Sequence, residues 1–280
     1  MNEAGFAWSM VTGGSSGTGA AVARALSRRH KFLVLVGRDP DRLAAVADDC
    51  LALGAADVRI LVADLRDRAA MERHVAMLRS EAPIESLIAC AGVAEGRYED
   101  EVVESRDTSR LVLEVNLLAT IDLVHLVLTD MIDRGEGAIV LVSSLAALTP
   151  LPDAPSYSAA EAGLLSFGLA LRGATRGRGV RVSTICSGPV EAPTTDRHIG
   201  PRPGEIAADD VAAAVLHCLT HDRAMIALPR MIGWLARLSP MLPRFVGALV
   251  TRRMRFHLAR HTPPRDLGRP RSDSEPQGDG

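Results

Sequence analysis

Short, almost continuously apolar runs recur along the chain. They read as strands over 7–11 (AWSMV), 32–36 (FLVLV), 58–62 (VRILV), 86–89 (SLIA), 138–142 (AIVLV), 180–185 (VRVSTI) and 225–227 (MIA). Runs of this kind, lacking a polar face, suit strands covered on both sides by other elements. Between them lie longer stretches with helical spacing of apolar positions, over 17–29, 40–53, 68–80, 106–134, 155–176 and 208–219. Strand–helix alternation predicts βαβ units and a doubly wound α/β fold, a parallel seven-stranded sheet with helices on both faces. No internal repeat interrupts the pattern.

The pattern changes beyond residue 228. Segments 234–238 and 242–258 read as arginine-rich amphipathic helices, interrupted by Pro240 and Pro243, and residues 262–280 (TPPRDLGRPRSDSEPQGDG) as a disordered tail. The expected organisation is an α/β domain over 1–228, a C-terminal helical extension over 229–261 and the tail over 262–280. No run is expected to span a membrane. The N-terminus lacks the basic and apolar regions of a signal peptide.

Composition narrows the choice of function. With 280 residues and 47% hydrophobic content, the chain can bury one large core. A net charge of −2 offers no footprint for nucleic acid. Positive charge comes almost wholly from arginine, Lys31 being the only lysine. Four separated cysteines (Cys50, Cys90, Cys186, Cys218) contain no CxxC pair. They fit a reducing, cytoplasmic setting, and neither a disulfide framework nor a metal site is expected.

The first candidate chemistry is TGGSSGTG, from Thr12 to Gly19, between the first strand and the first helix. Gly13 allows a tight turn, Gly17 lets backbone approach a diphosphate, and Gly19 permits close helix–strand packing. The helix N-terminus adds N–H donors and a positive dipole end. This is the dinucleotide-binding turn of a Rossmann-type sheet. At the end of the second strand, Gly37 stands where an NAD site usually carries an acid, and Arg38 follows. Arg38 suits a 2′-phosphate, so NADP(H) is expected in preference to NAD(H). Asp64, after the third strand, reads either as an acceptor for the adenine amino group or as a helix cap.

In order, TGGSSGTG, VADL ending at Leu65, Cys90-Ala91-Gly92, Val115-Asn116, Ser143-Ser144 and Tyr157 resemble the short-chain dehydrogenase/reductase family over about residues 6–228. Thirteen positions separate Ser144 from Tyr157 and twenty-four separate Gly92 from Asn116, intervals usual in that family. The resemblance implies a catalytic set of Tyr157 as general acid, Ser144 as a second donor to the same carbonyl oxygen, and Asn116 holding a water or a helix kink. Its implied cofactor contacts are Gly13, Ser15, Ser16, Gly17, Thr18, Gly19, Arg38, Asp64, Leu65, Cys90, Gly92, Tyr157 and Val190. Cys90 stands where the family has asparagine.

The large departure is Glu161, in YSAAE, where the resemblance implies lysine. One helical turn after Tyr157, its negative charge disfavours the phenolate. Carbonyl reduction, which needs the protonated phenol, suffers less than alcohol oxidation. The leading expectation is an NADP(H)-dependent reductase of a lipophilic carbonyl compound. Alternatives are a lyase, cyclase or epimerase shuttling protons through Tyr157, Ser144 and Glu161, or a non-catalytic partner subunit. The residues after Pro229 are similar to extensions of family members that act on lipophilic ketones, where helices border the substrate cleft; plain packing is the equal alternative. Membrane-surface attachment is not favoured. Arg197 and His198 read as solvated loop residues, and a homodimer or homotetramer is expected.

Overall fold

Alternation along β1 (Trp8–Thr12) sorts its side chains to two faces. Trp8 and Met10 join one core cluster and Val11 the other. The structure, a computed structural model, describes residues 7–29, 31–191, 198–233 and 256–259. After β1 come α1 (Gly17–Ser27), β2 (Phe32–Gly37), α2 (Pro40–Ala52), β3 (Asp57–Val62), α3 (Arg68–Glu81) and β4 (Ile84–Ala89). Helix α4 (Arg106–Val112) leads through a π-turn over Leu113–Leu118 into α5 (Ala119–Arg134). Then follow β5 (Gly137–Ser144), α6 (Pro155–Ala174), β6 (Val180–Ser187), β7 (His198–Ile199), α7 (Ala208–Thr220), β8 (Met225–Leu228) and β9 (His257–Leu258).

Seven parallel strands form one sheet in the order β3-β2-β1-β4-β5-β6-β8. One face packs against α3, α5 and α6 through Met71, Val75, Leu123, Val127 and Leu164. The other packs against α1, α2 and α7 through Val22, Leu43, Val46, Val211 and Val215. The chain reverses direction across the sheet between β1 and β4, so their carboxyl ends flank the crevice where ligands of such sheets bind. This is the α/β architecture the apolar pattern predicts.

Three readings are corrected. Residues 256–258, expected to end a helix, are not helical: β9 pairs antiparallel with β7, and Tyr98 bridges to Leu258. Tertiary pairing overrides an amphipathic pattern there. The chain is helical over 230–233; the rest of the expected extension (234–255) and the tail lie outside the described residues. The helix over 106–134 is interrupted in its hydrogen-bonding pattern by the π-turn. Among the described residues, that same Arg106–Arg134 helix is also long and apolar enough to cross a membrane, contrary to the expectation of no such run. Much of its apolar surface serves the core face against β4 and β5.

Candidate active site

The glycine turn is built as a cradle. Gly13 and Gly17 have positive φ of 67° and 52°, a region that glycine enters without strain. A Cβ on Gly19 would stand 2.2 Å from the Gly13 carbonyl oxygen. One on Gly13 would meet the Ala91 backbone at 3.0 Å. Thr12 Oγ1 accepts from the Cys90 and Ala91 amides, both at 3.1 Å, fastening the turn to the end of β4. Ser16 is the N-cap of α1 but its side chain makes no capping bond, so the first-turn amides are not closed off by it. Ser15 Oγ lies near Gly37, where a Cβ would approach it to 3.2 Å. A backbone nest at a helix N-terminus with no space for added side chains fits a dinucleotide diphosphate.

Gly19→Ala forces backbone apart and costs about 1–3 kcal/mol of stability. We expect a lowered Tm in thermal denaturation and at least about tenfold weaker NADPH binding by calorimetry. Binding and stability both equal to the parent would show that the turn relaxes freely.

At the end of β2, Arg38 is exposed. The neighbouring acid, Asp39, is occupied as N-cap of α2: its carboxylate accepts from the Arg42 amide at 3.0 Å and pairs with the Arg42 guanidinium at 3.2 Å. Asp64 is not a helix cap; that position belongs to Asp67, which accepts from the Ala70 amide. Asp64 is gripped by Arg66, with contacts of 2.7–3.2 Å. That guanidinium hydrogen bond, ahead of all other causes, holds the Asp64 carboxyl below its usual range. Leu65 packs against the core. The Cys90 thiol is pushed up to about 12 by burial, the behaviour of an inert packing thiol.

Tyr157 opens α6, and Ser144 ends β5. The structure brings them together: Ser144 stands beside the Tyr157 phenol. Ser144 Oγ accepts from the Ala146 amide at 3.1 Å, which fixes its rotamer. Burial first, then the negative charge of Glu161, push the Tyr157 phenol well above its ordinary value, and Ser144 opposes them.

Glu161 is only 5% exposed and does not project into solvent. Its carboxylate receives the Asn116 side-chain amide at 3.0 Å, and Ser143 and Ser144 at the end of β5 stand beside it. Ser143 Oγ donates to the Glu161 carbonyl at 3.2 Å. Burial outweighs these neighbours and raises the Glu161 carboxyl. Asn116 sits in the π-turn and holds the loop after β4: Oδ1 accepts from the Val93 amide at 2.8 Å and Nδ2 donates to the Val93 carbonyl at 3.1 Å. Gly92 lies beside it; a Cβ there would stand 3.5 Å from the Asn116 amide. Glu161 therefore ties the π-turn to the strand end that presents Ser144. Val190 bridges Ile206 beyond β6.

Sequence reasoning misses two buried acids. Asp153 is 0% exposed, accepts from Arg97 Nε at 2.6 Å and from the Phe256 amide at 3.0 Å. Glu104 accepts from the Ser156 amide at 2.6 Å, placing negative charge at the start of α6. Little local marks either residue, because the partners that tie them to the site lie 52 to 103 positions away; nearby, Ser109 donates to Glu104 at 3.4 Å.

The sheet, the glycine turn at its switch point and the neighbouring serine and tyrosine point to a nucleotide-binding α/β oxidoreductase. Residues 7–200 match the short chain dehydrogenase family model, and the chain belongs to that family, whose members bind nicotinamide cofactors. It is 28% identical over 255 residues to an uncharacterized oxidoreductase of Myxococcus xanthus, covering 91% of this chain and 100% of that protein. Its fold matches a Mycobacterium paratuberculosis short chain dehydrogenase bound to NAD, with TM-score 0.71 and 19% identity over 80% of this chain and 96% of that one. A variant of actinorhodin polyketide ketoreductase with NADPH matches with TM-score 0.72 and 22% identity, over 81% of this chain and 97% of that one.

Proposed function

We propose that this oxidoreductase is an NADP(H)-dependent reductase of a lipophilic small-molecule carbonyl compound. The observation that carries the reading is the placement of Tyr157 at the start of α6 beside Ser144 at the end of β5, with the buried Glu161 one turn on. A raised pKa keeps the proton on the phenol at ordinary pH and makes it a weaker acid, so the transfer leans on the charge that develops on the substrate oxygen. Gly13, Ser15, Ser16, Gly17, Thr18 and Gly19 would hold the diphosphate, Arg38 the 2′-phosphate, Asp64 and Leu65 the adenine, Cys90 and Gly92 the adjoining ribose, and Val190 the carboxamide. The dinucleotide, when bound, supplies the hydride. Tyr157 Oη gives its proton to the substrate oxygen, and Ser144 Oγ donates a hydrogen bond to that oxygen as negative charge develops there. Asn116 and Glu161 keep the strand end and the helix in register. An apolar cluster around Tyr157, including Tyr98, Leu151 and Phe256, supports a lipophilic substrate. Stoichiometric NADPH oxidation with a panel of ketones, aldehydes and quinones tests the reading. Tight NADPH binding with no consumption across the panel would overturn it.

The cofactor preference rests on Gly37, Arg38 and the engaged Asp39. NADPH should bind more tightly than NADH, and Arg38→Ala should narrow the difference by about ten- to a hundredfold, the range of a charge-assisted contact. Equal affinities by calorimetry in the parent protein would refute it.

A second reading is favoured by one feature, the buried Glu161 carboxyl a turn from Tyr157. There the pair would shuttle protons in a non-redox lyase, cyclase or epimerase reaction. We further propose that a second copy of the chain covers Leu118 and Leu169, 53% and 43% exposed on the adjoining α4–α5 and α6 helices, giving a homo-oligomer.

A further inference from the structure

The stretch from Glu104 to Asn116 holds α6 through two side chains, one on either side of Tyr157. After the tyrosine, Asn116 Nδ2 in the π-turn donates to the Glu161 carboxylate at 3.0 Å. Before it, Glu104 Oε1 accepts from the Ser156 amide at 2.6 Å. Both contacts come from one continuous piece of chain: Glu104 precedes Ser105, the N-cap of α4, and α4 runs directly into the π-turn.

The Glu104 contact supplies what α6 cannot supply for itself. A helix leaves its first N–H groups without internal partners. Here the N-cap is Ala154, which has no side-chain acceptor, and Pro155 in the first helical position has no N–H. The Ser156 amide is therefore the first donor that α6 presents, and Glu104 meets it from 52 positions away. A carboxylate there also opposes the positive end of the helix dipole.

This placement is costly. Glu104 is 7% exposed, and Oε1 receives the Ser109 hydroxyl at 3.4 Å besides the Ser156 amide. Oε2 is buried and has no hydrogen-bond partner among the described residues. A buried carboxylate with one oxygen unmet destabilises a fold relative to an apolar side chain of similar size. Packing alone gives no reason for an acid at this position, and an unmet buried group calls for another explanation. Its one short contact is to the residue that adjoins Tyr157.

We propose that Glu104 is a positioning residue for the proton donor, pinning the first turn of α6 so that the Tyr157 phenol stays beside Ser144. The inference rests on the reductase reading for its kinetic effect, and adds to that site a residue outside the serine and tyrosine. With a ketone that the parent reduces, Glu104→Ala should lower kcat about ten- to a hundredfold, the scale of a misplaced catalytic group. KM and NADPH affinity should change far less, which places the loss in the transition state. Glu104→Gln keeps an acceptor for the Ser156 amide and should recover most of kcat.

A second readout needs no turnover. Tyr98 and Tyr157 are the chain's two tyrosines, so in a Tyr98→Phe background the ultraviolet absorbance of tyrosinate reports Tyr157 alone. Glu104→Ala, by loosening the turn and admitting water, should let Tyr157 ionise at least about one pH unit below the parent. Glu104→Gln also removes the charge, so a curve that stays with the parent assigns the effect to the hydrogen bond. That pattern, with no ketone reduced by the parent, would uphold the positioning role and sink the reductase reading alone. Coincident curves in all variants, a Glu104→Gln curve displaced as far as that of Glu104→Ala, or an unchanged kcat in a parent that reduces ketones would each overturn the proposal. Tm and NADPH affinity report that each variant is folded. If Glu104→Ala does not fold, Glu104→Leu, which fills the space without an acceptor, carries the test.

Discussion

Tyr157→Phe should lower carbonyl reduction by about 10²–10⁴-fold while NADPH binding is retained, the loss expected when a positioned general acid is removed. Phenylalanine keeps the ring that packs with the Phe256 cluster and deletes only the hydroxyl that Ser144 contacts. Steady-state kinetics and calorimetry on the same preparation check both halves. A loss smaller than about tenfold would move the proton donor elsewhere. The pH profile gives an independent reading with a definite sign. Burial and the Glu161 charge raise the phenol, so its protonated form persists far into alkaline pH. Reduction by the parent should therefore show no fall from Tyr157 ionisation near neutrality. Oxidation of the matching alcohol, which needs the phenolate, should be weak and climb as pH rises.

Glu161→Lys should move that oxidation profile down by about one to three pH units, since a neighbouring cation favours the phenolate that the carboxylate opposed. The substitution carries a structural cost. Asn116 Nδ2 donates to the present carboxylate, and an ammonium has no acceptor to offer it. Tm should fall, and the gain in oxidation at lower pH should come from fewer correctly assembled sites. Glu161→Gln removes the charge, keeps one acceptor, and should leave reduction within about tenfold of the parent, well short of removing a general acid. The raised carboxyl also predicts how stability varies with pH. A group whose folded pKa lies above its unfolded one favours the native state below the unfolded value, and that contribution disappears as pH rises through the folded one. Glu161→Gln should remove this decline in urea-unfolding midpoints. If both variants abolish a native non-redox reaction while NADPH still binds, the proton-shuttling reading replaces the reductase.

Much of this molecule could be read before any coordinates. The apolar runs became the strands because the inner five are buried on both faces, which leaves a composition signal independent of long-range detail, while the edge strands β3 and β8 are only partly covered. The glycine turn was legible for a similar reason: Gly13 and Gly19 answer to local geometry that no other residue satisfies. The limits are equally physical. β9 looked helical because its helix-like spacing was genuine, yet its hydrogen bonds go to β7 and to the loop at Arg97. Asp64 looked like a possible cap, but the cap is Asp67, and Arg66 two residues on grips the Asp64 carboxylate. Glu161 showed its charge and its turn relative to Tyr157, but its polar neighbours come from the π-turn and the end of β5. Asp153 gave no signal at all.

The hydrogen bonds gathered on Asp153 also set an order in time. The cradle from Thr12 to Ala91 closes within the first third of the chain, while Phe256 reaches Asp153 across 103 residues. During synthesis at roughly 5–20 residues per second, Phe256 therefore emerges about 5–20 seconds after the Asp153 it caps. The last described strand to emerge, β9, is the one that completes the apolar cluster beside Tyr157.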